Sequence, residues 1–318
     1  MRGLIRLRKM PIQSKWLRRL AWTTLGWNVL VILWGAVVRA THSGAGCGNN
    51  WPLCNGEVIP VSPRVDTIIE FTHRMMTGGA TVLVLALLIG VLVGTVKEHR
   101  ARIFAWVAML LLINEAFLGF LLVHFGYVTT NRSVGRVVVL SIHLSNTLLL
   151  LAALTVTAAL LTRDESQPRI VANAMTRWWV AAGLASTIFV GVSGSLAALG
   201  DTLFPSATLT QAFAQDFSVA APLLLRVRWV HPAAAVVAGL FAVWLIGQAR
   251  DLPLRRLTAI LLVLQFLLGV ADVLLLAPVW MQILHLLGAD LYWIALVLLS
   301  LSVLLDQTPI PVSASNVL

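Results

Sequence analysis

IIEFTHRMMTGGATVLVLALLIGVLVGTV, residues 68–96, is the stretch on which the fold turns. From Met75 to Val96 it carries no charged residue. About 20 apolar residues in a helix are enough to cross the hydrocarbon of a bilayer. Glu70, His73 and Arg74 crowd one end of the run, where ionisable groups are costly unless they have a task or a partner. Seven further runs of this kind follow the same template: 22–41, 102–125, 134–161, 177–199, 223–248, 254–276 and 279–305. The chain of 318 residues is 59% hydrophobic and 11% charged, against roughly 25% charged in globular proteins. A soluble enzyme, a disordered chain and a disulfide scaffold are thereby excluded. The runs do not alternate as barrel strands do, and helices satisfy their own backbone in lipid. The expected fold is an all-α membrane protein of eight transmembrane helices.

The charges that remain are unbalanced, 23 Lys and Arg against 13 Asp and Glu. Sixteen of the basic residues fall before the first span or in the second, fourth and sixth loops, from Arg2 to Lys15 to Arg256. Six fall on the other side: Arg39, Arg64, Arg132, Arg136, Arg226 and Arg228. By the positive-inside rule both termini are expected in the cytoplasm and the first loop outside, in a plasma (inner) membrane. Nucleic acid is not needed to explain the excess. The basic start is followed by a long apolar run with no small-residue cleavage site after it, so a retained first helix is expected.

The chain repeats itself about the polar Gln167-Pro168 connection, which divides it into 1–165 and 166–318. His73 and His231 stand early in the second span of each half, and His143 and His285 early in the fourth. Glu115/Gly119 and Gln265/Gly269 match in the third. Four spans per half preserve orientation, giving two pseudo-symmetric four-helix bundles related by an axis along the membrane normal.

Four of the seven histidines therefore lie inside spans, paired and repeated, roughly 8–14 Å from the span starts at 1.5 Å per residue. Two imidazoles on opposing helices suit the axial positions of haem iron, and bundle cores commonly hold such groups. Structural hydrogen bonding or a proton path are the plainer uses of buried His. Zinc or copper would need more ligands than two. His42, His99 and His124 read as solvated or interfacial.

Glu70 shares a helix face with His73, three residues on. It is either a carboxylate that moves protons or stabilises charge, or half of an i,i+4 ion pair with Arg74. The second half has Arg228-Trp229-Val230-His231 at the same place, without the acid. Glu115 and Asp272 are further intramembrane acids, with packing or cofactor polarity as their expected uses. The two cysteines, Cys47 and Cys54, share the Gly- and Asn-rich first loop. In an oxidising compartment they form either a staple or a labile redox pair. Arg64, Arg132, Arg136, Arg226 and Arg228 are candidate partners for propionate carboxylates, or ordinary interfacial anchors.

Glu70-Phe71-Thr72-His73-Arg74, the Cys47/Cys54 loop with Trp51-Pro52, and the repeated third-span glycine together resemble the haem A synthase family over nearly the whole chain. That resemblance implies oxidation of the methyl group of haem O to the formyl group of haem A for terminal oxidase assembly. It implies His73 and His143 as ligands of the substrate haem, and His231 and His285 as ligands of a haem b cofactor. It further implies Glu70 as the catalytic carboxylate, Cys47/Cys54 as a functional thiol pair, and haem O synthase and a terminal oxidase as partners. Two departures stand out. The loop 201–221 lacks the second cysteine pair of some members, and Glu115 stands where Gln is expected. The competing readings are a quinol-linked dihaem cytochrome and, from the repeat, a transporter. No matched pair of broken spans supports the latter.

Overall fold

The computed structural model describes residues 11–48, 50, 52–163, 170 and 172–305. Arg2, Arg6, Arg8, Lys9, Trp51, Arg169 and the Gln167-Pro168 boundary lie outside the described residues. Every run expected to span is helical. The helices are α1 (Pro11–Ala40), α2 (Val65–Gly94), α3 (Ala101–His124), α4 (Val134–Arg163), α5 (Ala174–Leu203), α6 (Leu209–Phe217), α7 (Leu223–Arg226), α8 (Val230–Gln248), α9 (Leu252–Leu274) and α10 (Val279–Leu304). Among the described residues eight stretches are long and apolar enough to cross a membrane, α7 and α8 together counting as one. Starts are set locally: Asn173, Thr208 and Asp251 accept the backbone N–H three residues on, capping α5, α6 and α9.

One expected span is not continuous. The run 223–248 breaks between α7 and α8. Pro232 has no N–H to give the carbonyl of Arg228, and its ring would collide with that carbonyl in a straight helix. The chain instead tightens, with Arg228 N–H bonded to Leu225 and His231 N–H to Arg228. His231 is thus the second residue of α8 and does not sit two turns into a longer helix.

Helix neighbours follow one pattern twice. The pairs α1–α2, α2–α3, α3–α4 and α1–α4 are matched by α5–α8, α8–α9, α9–α10 and α5–α10. The two sets meet through α4 and α10, the most enclosed helices, where Leu151, Leu154, Leu296 and Leu299 are buried. Trp293 donates to the carbonyl of Leu148 across that seam at 2.8 Å. Arg39, at the end of α1, donates to Thr202 of α5 at 3.0 Å and Gln282 of α10 at 2.8 Å. A residue read from sequence as a loop cation therefore ties the two sets together. Without a hydrophobic drive between helices in lipid, such polar contacts and close packing carry association.

Candidate functional site

The four intraspan histidines gather at the end of the bundle that carries the Cys47/Cys54 loop, each near the start of its helix. His231 of α8 and His285 of α10 face one another, ring centroids 6.2 Å apart and planes nearly perpendicular. The Nδ1 of His231 lies 3.1 Å from the carbonyl of Val190 and 3.4 Å from Ser193. The amide of Gln265 sits 3.2 Å from His285 Nδ1 and 3.1 Å from its carbonyl. Space for the rings comes from glycine: a Cβ on Gly194 would lie 2.8 Å from His231, and one on Gly269 3.1 Å from His285. Gly35 takes the same place beside His73, at 3.2 Å.

His73 of α2 and His143 of α4 are the matching residues of the first half. Their Nδ1 atoms are buried without a hydrogen-bond partner, although Glu115 Oε1 lies 3.1 Å from that of His143. Glu115 is the centre of a polar network inside the membrane. It accepts from Asn146 and Thr147, and Asn114 donates to Asn146. Its repeat counterpart is Gln265, so each fourth-span histidine has a polar side chain of the third span beside it.

These residues fit haem better than a bare metal ion. Two facing imidazoles with small residues behind them suffice when a porphyrin supplies the equatorial donors. Among the described residues no group of three or more His, Cys, Asp or Glu could hold a metal ion. A structural zinc needs four ligands and a catalytic one usually three.

Glu70 forms the ion pair with Arg74, at 2.5 Å, and does more besides. Its second oxygen accepts the N–H of Cys47 at 2.8 Å. Arg74 reaches into the same loop and donates to the carbonyls of Asn50 and Leu53, both at 2.7 Å. Thr67 donates to Gly46 at 2.8 Å. The loop lies so close that a Cβ on Gly46 would overlap the backbone of Asp66. Cys47 and Cys54 are disulfide-bonded and only 0% and 1% exposed, which fits the staple of the two readings. The reason is the anchoring from α2, which pulls the bridge inward.

The candidate propionate arginines divide. Arg228 is already satisfied by Asp201 at 2.6 Å and Asp216 at 2.8 Å, with a further bond to the carbonyl of Ala212. Arg136 is buried and holds the carbonyls of Thr129 and Asn131. Arg64 is exposed beside Asp66, Arg132 lies 4.4 Å over the ring of Phe204, and Arg226 is exposed. His99 is buried and accepts the N–H of Ala101 at the start of α3, so it is not solvated. His42 and His124 are exposed, as expected. The sequence reading passed over Asp290, five residues after His285. It is 2% exposed with one oxygen unpartnered. A carboxylate inside the run 279–305 was the available signal.

A family model described as cytochrome oxidase assembly protein matches residues 18–297. A protohaem IX farnesyltransferase of Thermus thermophilus is 44% identical over 303 residues, which are 93% of this chain and 50% of that protein. A haem A synthase from an Exiguobacterium species is 32% identical over 150 residues, 47% of either chain. Another from Alkalihalophilus pseudofirmus is 44% identical over 100 residues, 31% of this chain and 33% of that one. The chain spans about half the length of the Thermus relative, and the matches to the synthases cover less than half of each.

Proposed function

We propose, for a chain that belongs to the cytochrome oxidase assembly protein family, that it is a haem A synthase, oxidising the methyl group of haem O to the formyl group of haem A. The observation that carries this reading is the repeated pair of intramembrane imidazoles, with one pair beside a carboxylate. His73 and His143 would hold the substrate haem O, and His231 and His285 a haem b. When bound, haem b supplies one-electron transfer.

The chain's own residues do the rest. Conversion of methyl to formyl replaces hydrogens by oxygen, so protons as well as electrons must leave the site. Glu70 stands one helical turn before His73 and would be the carboxylate that takes a proton or steadies positive charge. In this structure Arg74 and the Cys47 N–H hold that carboxylate on the disulfide loop. Glu115, beside His143 Nδ1, orients that imidazole so that its other nitrogen is free to bind iron. The apolar helices around both pairs exclude bulk water.

The division into 1–165 and 166–318 gives the first half the reaction and the second the electron relay. The positive-inside count supports an outer placement of the disulfide loop and cytoplasmic ends. The Thermus relative, named for farnesylation of protohaem and matched here along half its length, supports haem O synthase as the supplier of substrate. A terminal oxidase would receive the product.

The test is haem extraction with mass identification from protein co-expressed with a haem O synthase. Wild type yields haem A with haem b. His73→Ala loses haem O and haem A and keeps haem b; His231→Ala loses haem b. Recovery of haem b alone from both sites of the wild type sinks the assignment and leaves a dihaem electron carrier.

A further inference from the structure

Glu70, Arg74 and the disulfide loop form one closed unit, and this has a consequence for the thiol chemistry. The bridge between Cys47 and Cys54 is enclosed. Three of the bonds that hold it come from two side chains of α2: Glu70 to the Cys47 N–H, and Arg74 to the carbonyls of Asn50 and Leu53. The same guanidinium grips Glu70 through Nε at 3.2 Å and Nη2 at 2.5 Å. Arg74 and Glu70 side chains are 10% and 5% exposed, so water competes little for the ion pair between them. Among the described residues of the loop's far edge, Val58, Ile59 and Val61 are more than 70% exposed.

We infer that Arg74 is a positioning residue that latches the disulfide: thiol exchange at Cys47–Cys54 proceeds only when the Arg74–Glu70 grip on the loop lets go. Exchange requires a thiolate to approach one sulfur in line with the S–S bond. The attacking thiolate bonds to one cysteine sulfur, the S–S bond breaks, and the other cysteine leaves as a thiolate. A second thiol of the reductant then displaces the first cysteine. With dithiothreitol as the electron donor, the products are two protein thiols and the cyclic oxidised reagent. None of this can begin while both sulfurs are enclosed. Local opening of the loop therefore sets the rate.

The latch also makes Glu70 and the disulfide exclusive of one another. A Glu70 carboxylate drawn toward a substrate gives up the Cys47 N–H, and loop and bridge become accessible together. That coupling rests on the proposed haem chemistry. The latch itself rests on geometry alone and is tested without haem turnover.

The experiment follows reduction of the disulfide in detergent-solubilised full-length protein by dithiothreitol, with thiols trapped by a mass-tagging maleimide. Arg74→Ala is expected to raise the rate at least about tenfold, because it releases both carbonyls and loosens Glu70. Arg74→Lys, a point charge without the planar fork, falls between wild type and Arg74→Ala. Arg64→Ala, an exposed control in the same segment, reduces at the wild-type rate. A folded Arg74→Ala protein reduced within about twofold of wild type overturns the inference. Should that variant not fold, wild type alone decides. Hydrogen exchange at the Cys47 amide must be at least as fast as reduction and share its denaturant dependence. Reduction that outruns amide opening overturns the latch.

Discussion

The residue three before the second-span histidine is Glu70 in α2 and Arg228 just ahead of α8, opposite charges at matching positions. Each anchors the long loop that precedes its helix. Glu70 with Arg74 holds a loop closed by a disulfide. Arg228 holds Asp201, Asp216 and the carbonyl of Ala212, and its loop carries the helix α6 where the first has cysteines. One position thus solves one structural problem with either sign, provided the loop offers the complement: an amide N–H to a carboxylate, carboxylates and a carbonyl to a guanidinium. What differs is chemistry. The first arrangement puts an acid on the histidine's own helix, one turn before it; in the second the acids, Asp201 and Asp216, come from the preceding segments and are neutralised by Arg228. The pattern supports a reactive first half and a relay in the second.

The sharpest way to break this comparison is to remove the second anchor. Arg228→Ala strands two carboxylates in a region where the guanidinium is 10% exposed and makes three hydrogen bonds. Removing one partner of a buried pair costs more than the pair contributes. A loss of about 3 kcal/mol is expected, read as a lower melting temperature in detergent with early protease cleavage near α6. Cys54→Ser in the first loop should cost less, about 2 kcal/mol, because Glu70, Arg74 and Thr67 still hold it. If Arg228→Ala melts with wild type, the two anchors are not equivalent.

Much of this was legible before any coordinates. Spans follow from apolar length, since lipid permits little but helix, and the four histidines follow from their rarity in such runs. What escaped depends on contacts far apart in sequence or on single backbone atoms. Arg39 looked like a loop cation because Thr202 and Gln282 lie 163 and 243 residues away. The break at 227–229 is forced by Pro232, a signal present in the sequence but masked because the run 223–248 is long and apolar enough to span despite Arg226 and Arg228. Disulfide burial was hidden because the bonds that pull the loop inward go to its backbone, which composition does not report.

A finer division lies in the third spans. Glu115 beside His143 and Gln265 beside His285 differ by one atom and one charge. Glu115→Gln keeps an acceptor for either Asn146 or Thr147 and turns an amide N–H₂ toward the other. About 1 kcal/mol of stability is expected to be lost. In haem-loaded protein the reduction potential of the first-half iron rises, because a carboxylate behind a ligating imidazole strengthens it as a donor. Gln265→Glu does the reverse in the second half and sets a carboxylate oxygen against the His285 carbonyl, now 3.1 Å from the amide nitrogen. Equal shifts in both irons from either single variant would mean that the sites are not separately tuned.

The smallest expected effect separates matched glycines. A methyl group on Gly269 would stand 3.1 Å from His285 Cε1, so the ring must retreat by a few tenths of an ångström. On Gly119, its counterpart in α3, a methyl meets nothing within 4 Å. Alanine there gains helix propensity worth at most about 1 kcal/mol. The same gain at Gly269 is offset by the crowded imidazole, and overpacking of this kind costs about 1 kcal/mol or more. Gly119→Ala should therefore melt at or above wild type with its haem content unchanged. Gly269→Ala should melt at or below it and hold second-half haem less well, read as absorbance lost on gel filtration. The contrast is informative because the substitutions are chemically identical. If both are neutral, His285 has room that the packing of α9 on α10 denies it. If both are harmful, the third-span glycine serves helix packing in each half, and its place beside an imidazole in the second is incidental.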